Sequence, residues 1–142
     1  MAIELTRLSI AQRNEVFRDL ARRGLYPSAS GHKVNSKGAT GEIISTTPTG
    51  VLIDGRPIAT VGSSYRVTTG CAHGCPACPH PGIGTVVTGL PDVLANGRPI
   101  AVAGSETIPV GFVLEGQGEA PGATRSITEQ QVLTLRGKLV RG

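Results

Sequence analysis

The chain has 142 residues, 39% of them hydrophobic, with 20 glycines, 10 prolines, two phenylalanines, two tyrosines and no tryptophan. This length allows one domain with a modest core, and so many glycines and prolines favour short strands and tight turns over long helices. The formal net charge of +4 would permit nucleic-acid binding. However, the basic residues are dispersed and no aromatic stacking platform accompanies them, so no nucleic-acid partner is expected.

The N-terminal residues lack the apolar core of a signal peptide, and no segment of the chain is apolar enough over sufficient length to span a bilayer. We therefore expect a protein made in the cytoplasm. If it reaches the outside of the cell, it is exported by a route that does not depend on a classical signal peptide.

The first predicted element is an amphipathic helix from Ser9 to Arg23. Ser9 and Gln12 fit a capping box, and Gly24 followed by Pro27 forms a stop signal. The apolar positions at helical spacing are Ile10, Val16, Phe17, Leu20 and Ala21. We expect this helix to pack on the body of the protein rather than to serve as a dedicated docking helix.

Residues 26–41 predict a loop, and two similar segments follow it. Residues 41–64 (GEIISTTPTGVLIDGRPIATVGSS) and 83–106 (IGTVVTGLPDVLANGRPIAVAGSE) match in register at an offset of 42 residues. In each copy short apolar strands flank a hairpin signal, Asp54-Gly55 or Asn96-Gly97, whose residues tolerate positive φ. Each copy therefore predicts a small meander that packs against the other copy.

The chain after Gly104 gives weaker signals. Ile108 to Leu114 predicts a strand, and residues 116–125 predict a linker or surface loop. In the tail, Ser126 and Glu129 would suit the cap of a short helix, whereas the alternation of residues 132–136 favours a strand. We expect the strand.

All three cysteines and two of the three histidines lie between the repeats, in the segment CAHGCPACPH at residues 71–80. Cys75 and Cys78 form a C-x-x-C pair that can hold one soft or borderline cation, and imidazoles complete the tetrahedron of structural zinc. Candidate ligands in this segment are Cys71, His73, Cys75, Cys78 and His80. Alternatives are a disulfide, a redox pair, or histidines that merely decorate a polar loop.

His32 is a sixth candidate ligand, which the repeat offset suggests. A shift of 42 residues moves His32 to position 74, beside His73, so the segment that leads into each repeat carries a candidate ligand. Two hairpins packed side by side would bring these segments together. His32 would then tie the N-terminal third of the chain to its centre through the metal.

The sequence contains no recognisable catalytic triad, no phosphate-binding glycine loop and no paired carboxylates in an apolar segment. No catalytic residue and no enzymatic activity are therefore expected. Two kinds of function stay open at this point: a structural component stiffened by zinc, and a small zinc-binding module that recognises nucleic acid or a protein partner.

The segments GVLIDGRPIATVG and DVLANGRPIAVAG resemble the repeats of PAAR-repeat proteins, over about residues 30–106. The resemblance implies a mainly β fold, a small cone of short hairpins with pseudo-threefold symmetry, here preceded by one short N-terminal helix. It implies one structural zinc ion near the point of the cone, and a trimeric β-helical spike protein bound through the base. Such proteins form the puncturing tip of type VI secretion systems, contractile phage tails and related injection machines.

The resemblance also implies a domain plan and a choice of ligands. Residues 1–29 would form an N-terminal extension, residues 30–116 the cone, and residues 117–142 a C-terminal extension, with either extension open to an effector or a tail protein. The tip would be delivered outside the cell and touch the target membrane transiently. Residues 103–107, where many family members place ligands, hold none. The preferred zinc ligands are therefore His32, His80 and two of the remaining four, led by Cys75 and Cys78.

Overall fold

Short β-strands form most of the secondary structure, which two helices flank. The computed structural model describes residues 2–36, 39–45, 48–69, 82–108, 111–120 and 122–141. The strands are β1 (Ile3–Glu4), β2 (Lys33–Ser36), β3 (Ala39–Ser45), β4 (Leu52–Ile53), β5 (Arg56–Pro57), β6 (Ser64–Thr69), β7 (Ile83–Val86), β8 (Thr88–Ala95), β9 (Arg98–Ile100), β10 (Glu106–Ile108), β11 (Gly111–Val113), β12 (Glu115–Gln117), β13 (Thr124–Ser126) and β14 (Val140–Arg141). The helices are α1 (Ile10–Arg22) and α2 (Glu129–Leu135), and 3₁₀ turns cover Leu5–Arg7 and Arg136–Lys138. Within the described ranges, neither helix is long and apolar enough to cross a membrane.

Six of the strands close into a barrel made of three antiparallel hairpins. Hairpin 1 is β2–β3, hairpin 2 is β6–β7 and hairpin 3 is β10–β11; β3 pairs with β6, β7 with β10, and β11 with β2. Alternate side chains of these strands point inward. They form one core cluster, whose larger members are Val34, Ile43, Tyr65, Val67, Val86 and Val113. The predicted mainly β fold of short hairpins is confirmed.

Three equivalent turns close one end of this barrel: turn 1 at residues 29–32, turn 2 at 60–63 and turn 3 at 102–105. Beside them, three backbone amides form a closed ring of hydrogen bonds. The N–H of Ser28 donates to the carbonyl of Ala101 at 3.0 Å, Ala101 donates to Ala59 at 2.9 Å, and Ala59 donates to Ser28 at 2.9 Å. Because the ring is cyclic, the predicted pseudo-threefold symmetry is confirmed. The loop predicted over residues 26–41 is confirmed for residues 26–32, which include turn 1, but it is wrong for residues 33–36 and 39–41, which are strands of hairpin 1.

A two-stranded arm follows each hairpin: arm 1 is β4–β5, arm 2 pairs the end of β8 with β9, and arm 3 is β12–β13. Arg56 pairs with Ile53 in arm 1, Arg98 with Ala95 in arm 2, and Arg125 with Gly116 in arm 3. Two residues after each arginine comes a buried isoleucine, at positions 58, 100 and 127. The surface loop predicted over residues 116–125 is confirmed for the described part of the connection at 118–123, but it is wrong for residues 116–117 and 124–125, which belong to the strands of arm 3.

The predicted hairpin turns of the first two arms are confirmed. Asp54 and Asn96 have φ of 52° and 53°, and the glycines after them have φ of 76° and 79°. Both central residues of each turn are thus left-handed, as the two-residue turns that match strand twist require. Arm 3 lacks such a dipeptide and joins its strands through residues 118–123.

Helix α1 packs on a second core that lies outside the barrel. Ser9 and Gln12 make both hydrogen bonds of the capping box, and Phe17, Leu20 and Ala21 are buried. The predicted helix and its packing are confirmed, although Ile10 is 74% exposed. The second core joins α1 to the arms and the tail, with Leu5, Val51, Ile53, Ile58, Leu90, Val93, Ile100, Ile127, Val132 and Leu135 among its members.

The tail forms helix α2 where a strand was predicted. Thr128 and Gln131 make a capping box, so the cap lies two residues after the position expected from Ser126. Val132 and Leu135 are both buried, three positions apart, which suits a helix and places neither of the intervening residues in the core. The strand prediction is wrong because burial of Val132 and Leu135 outweighed the local alternation. A short strand, β14, follows and pairs with β8.

Candidate functional site

The outgoing strand of each hairpin ends at the end of the barrel opposite the three turns. The outgoing strands end at Ser36, Thr69 and Ile108, and the connecting residues 37–38, 70–81 and 109–110 lie outside the described residues. The connection of hairpin 2 is the long one. It contains the predicted ligands Cys71, His73, Cys75, Cys78 and His80, all of which therefore lie outside the described residues.

His32 belongs to the other end of the barrel, in turn 1. Its side chain is 2% exposed, and its Nδ1 accepts a hydrogen bond from the backbone N–H of Ala29 at 2.8 Å. Its Nε2 lies 3.2 Å from Nη2 of Arg56. Both ring nitrogens thus face groups of the turn and of arm 1.

The same hydrogen bond recurs in the other two turns. Oγ of Ser63 accepts the N–H of Thr60, and Oγ of Ser105 accepts the N–H of Val102, both at 3.0 Å. His32, Ser63 and Ser105 are therefore equivalent residues of the three repeats. The alignment of His32 with position 74 was wrong, because a uniform offset of 42 residues does not apply to the first repeat.

The electrostatic setting of His32 favours a neutral ring. Burial first, and then the neighbouring Arg56 guanidinium, lower the pKa of His32 to about 4, while Glu115 and Asp54 act in the opposite direction. A cation on Nε2 would have to displace Arg56, and a proton on Nδ1 would break the bond from Ala29. The geometry of His32 therefore suits a turn residue better than a metal ligand.

The described part of the chain brings no three His, Cys, Asp or Glu side chains together in an arrangement suited to a metal ion. Of the six predicted ligands, only His32 falls in that part. A zinc site built from the remaining five residues stays a prediction.

The arginines of the two Gly-Arg-Pro segments have a structural role that was not predicted from the sequence. A Cβ on Gly31 would lie 2.8 Å from Nη1 of Arg56, and one on Gly62 would lie 2.7 Å from Nη1 of Arg98. Each arginine thus covers the glycine of the preceding turn, whose φ of 91° or 97° already favours glycine.

The third turn is covered differently. A Cβ on Gly104 would meet Cδ1 of Leu135 at 2.8 Å and Cδ1 of Ile127 at 3.0 Å. The equivalent arginine, Arg125, instead lies with its guanidinium carbon 5.7 Å from the centre of the Tyr26 ring. Side chains of Ile127 and Leu135 therefore cover the turn glycine of the third repeat, where an arginine does so in the first two.

Comparison with known protein families identifies the family of this chain. The model of the PAAR motif matches residues 33–111, more than half of the chain. The chain belongs to the PAAR-motif family. The match begins at the first residue of β2 and ends at the first residue of β11, so it covers hairpins 1 and 2, arms 1 and 2, and turns 2 and 3. The resemblance seen in the sequence is confirmed. A search of curated proteins gave no match.

Membership of the PAAR family is consistent with a place at the tip of a contractile injection machine. Turn 1 and Ser28, which completes the hydrogen-bonded ring in this PAAR chain, lie just before the matched residues, and arm 3 lies just after them.

Proposed function

We propose that this PAAR protein is the structural tip that caps and sharpens the trimeric β-helical spike of a contractile injection machine and helps it to puncture a target envelope. The observation that carries the proposal is the cyclic hydrogen-bonded ring of Ser28, Ala59 and Ala101 in a chain of this family. A monomer with three equivalent repeats can offer similar contacts to each of three identical spike subunits about a shared axis.

The position of the arms favours attachment to the spike through the ring end of the barrel. They follow the three hairpins in turn, and each leads to a buried isoleucine close to the ring end of the barrel. The outgoing strands of the hairpins end at the opposite end of the barrel, at Ser36, Thr69 and Ile108. An attachment through the ring end and the arms would leave that end pointing forward, as a tip requires.

The closed barrel suits a mechanical role. All six of its strands pair on both sides, so the hairpins present no unpaired edge that would open under load. Interior residues such as Val34, Val86 and Val113 are fully buried. β-Branched side chains of this kind have few rotamers and pack firmly on a pleated surface. No catalytic group is needed for such a function, and we propose none.

We further propose one structural zinc ion, bound by four of Cys71, His73, Cys75, Cys78 and His80. When bound, zinc would crosslink the connection of hairpin 2 and contribute folding free energy there. The support comes from the donor types and the C-x-x-C spacing. These five residues supply enough donors without His32, whose two nitrogens already have partners.

The finer parts of the proposal follow from this role. The protein would be made in the cytoplasm, assembled on the spike of a secretion system or phage tail, and delivered outside the cell with transient contact to the target membrane. Either terminal extension would be open to contact with an effector or a tail protein.

The test is a binding experiment with the purified trimeric spike protein of the same injection machine. Native mass spectrometry should show one copy of this chain per spike trimer. Leu52→Asp, at a 53% exposed position of arm 1, should weaken binding, whereas Ile83→Asp, at a 67% exposed position of hairpin 2, should not. A spike that never binds the folded wild-type protein, or binds it in a ratio of three chains per trimer, would contradict the proposal.

A further inference from the structure

A groove runs between hairpin 3 and α2, on the side of the barrel. Its volume is about 390 Å³, and buried Phe112 of β11 and Val132 of α2 contribute to its lining. Ile108 of β10 and Leu133 of α2 line the same groove, yet 53% and 58% of their surfaces stay exposed. The apolar lining of the groove therefore continues onto the surface of the protein.

A third exposed aliphatic residue lies on the neighbouring strand. β7 pairs with β10 so that Ile108 is opposite Thr85, which places Ile83, two residues earlier in β7, on the same face of the sheet. Ile83 is 67% exposed. Single exposed apolar residues are ordinary, but a cluster that borders an apolar groove marks an interaction surface. We call Ile83, Ile108, Leu133 and this groove the aliphatic face.

Basic residues border the aliphatic face where the tail passes it. Arg136 and Arg141 line the groove, and Lys138 lies between them in the chain. Arg136 is 3.6 Å from the carboxylate of Glu106, whereas Lys138 and Arg141 make no ion pair with any residue in the described ranges.

The acidic groups at the groove do not cancel this charge. Arg136 offsets Glu106, and Glu129, the other acidic residue among the described residues that line the groove, carries one charge against the two of Lys138 and Arg141. Lys138 and Arg141 are therefore free to meet negative groups of a partner.

We infer that the aliphatic face binds the surface of an anionic phospholipid membrane. Ile108 and Leu133 would enter the boundary between headgroups and acyl chains, while Lys138 and Arg141 would stay with the lipid phosphates. The charge favours anionic lipid, because Lys138 and Arg141 make no ion pair with the described residues and match the negative surface potential of such a membrane. The protruding residues are aliphatic and include neither Trp nor Tyr, which are enriched where protein contacts carry most binding energy. This inference rests on the proposed function, whose membrane contact it assigns to one face.

The test is flotation of the full-length protein with vesicles of phosphatidylglycerol mixed with phosphatidylcholine, compared with vesicles of phosphatidylcholine alone. The wild type should float with the anionic vesicles, and less so as salt is raised. The double variant Lys138→Gln/Arg141→Gln should bind them roughly tenfold more weakly. The matched control Arg7→Gln/Arg18→Gln removes the same charge from exposed positions elsewhere and should bind like the wild type.

A second pair of variants tests the apolar part. Ile108→Thr/Leu133→Gln should lower vesicle affinity roughly tenfold. Ile3→Gln/Ile10→Gln, at aliphatic positions 40% and 74% exposed, should leave it unchanged. Circular dichroism and thermal melting would confirm that each variant folds.

Three outcomes would overturn the inference. The first is a wild type that fails to float with the anionic vesicles, and the second is a loss of vesicle affinity in the control variants as large as in the test variants. The third is a loss of spike binding in the test variants while their vesicle binding is unchanged, which would assign the aliphatic face to the spike protein. Failure of vesicle binding with intact spike binding leaves the proposed function standing, so the two proposals fail separately.

Discussion

Nδ1 of His32 and Oγ of Ser63 accept the same backbone hydrogen bond in successive repeats. The donors, Ala29 and Thr60, each lie three residues earlier, and the distances are 2.8 Å and 3.0 Å. Both side chains are buried. A histidine in one repeat therefore does what a serine does in the next, which gives His32 a structural role independent of any metal.

His32→Ser should cost less stability than His32→Ala. Serine can restore an acceptor for the N–H of Ala29, whereas alanine leaves that buried donor unpaired, at a cost of about 1–3 kcal/mol. Both variants lose the packing of the imidazole, so the difference between them isolates the hydrogen bond. Urea unfolding of the two proteins measures it. Ser63→Ala, which removes the equivalent acceptor, should cost a similar amount, and equal stability of the two His32 variants would refute the assigned role.

Stability should fall in mild acid because of His32. Its pKa is lowered from 6.5 to about 4 in the folded protein, mainly by burial and then by Arg56. Above pH 6.5 the ring is neutral in both states; as the pH falls below that value the unfolded chain takes up the proton first, so stability is lost progressively down to about pH 4.

The control for this pH dependence is His32→Ser, because it removes the His32 ring and leaves the other titratable groups of the chain in place. The unfolding midpoint of the wild type should decline more between pH 7.5 and pH 4 than that of the variant. Parallel curves for the two proteins would show that His32 contributes nothing to the acid sensitivity.

Gly84→Ala should destabilise the barrel. Gly84 of β7 is paired with Tyr65 of β6, and a Cβ at Gly84 would overlap the Tyr65 ring. That ring has no room to move, because it is fully buried and its hydroxyl donates to Oγ of Ser36 at 3.3 Å. Overpacking of this kind costs about 1–3 kcal/mol.

Thermal melting compares Gly84→Ala with Gly137→Ala, whose added methyl would meet no atom within 4 Å. The control should change the unfolding free energy by no more than about 0.5 kcal/mol. Adding Tyr65→Leu to Gly84→Ala should recover part of the loss, since it removes the overlapping ring atoms. An unchanged melting temperature in Gly84→Ala would refute the predicted overlap.

The two repeats whose arms contain an Asp-Gly or Asn-Gly turn could be predicted from the sequence. Asp54-Gly55 and Asn96-Gly97 both require positive φ, and Ser9 with Gln12 meets the geometry of a capping box, so local rules alone indicate arms 1 and 2 and helix α1. Family likeness then supplied the threefold arrangement, which the hydrogen-bonded ring shows directly.

A third copy of the unit at residues 41–64 and 83–106, in which an arm is followed by a turn, was hidden because turn 1 lies before all three arms and not after arm 3. Turn 1 lies near the N-terminus and arm 3 near the C-terminus, so no contiguous segment carries both. Arm 3 also lacks a two-residue turn, and its arginine, Arg125, precedes serine rather than proline. The role of His32 was missed for the same reason, since its equivalence with Ser63 depends on turn geometry and not on a constant offset.

Glu4→Ala should loosen the N-terminal segment from arm 2. The Glu4 carboxylate accepts hydrogen bonds from the backbone N–H of Asn96 at 2.9 Å and of Gly97 at 2.6 Å, and also bonds Thr6. Desolvation acts to raise the pKa of Glu4, but these hydrogen bonds outweigh it and leave the pKa below its usual value.

Amide hydrogen exchange measures this effect directly. In Glu4→Ala the amides of Asn96 and Gly97 should exchange faster than in the wild type, because their acceptor is gone. Glu15→Ala removes an exposed carboxylate from α1 and should leave both amides unchanged. If the two variants exchange alike, Glu4 does not hold the turn of arm 2.

The zinc proposal predicts one metal ion per chain, held without His32. Elemental analysis of the purified protein should give a zinc ratio near one that survives His32→Ser and falls close to zero in Cys75→Ser/Cys78→Ser. Because structural zinc contributes folding free energy, the cysteine variant and the chelator-treated wild type should melt at lower temperature than the untreated protein. Loss of zinc in His32→Ser would instead make His32 a ligand and require Arg56 to move from Nε2, while full zinc retention in the cysteine variant would remove the C-x-x-C pair from the site.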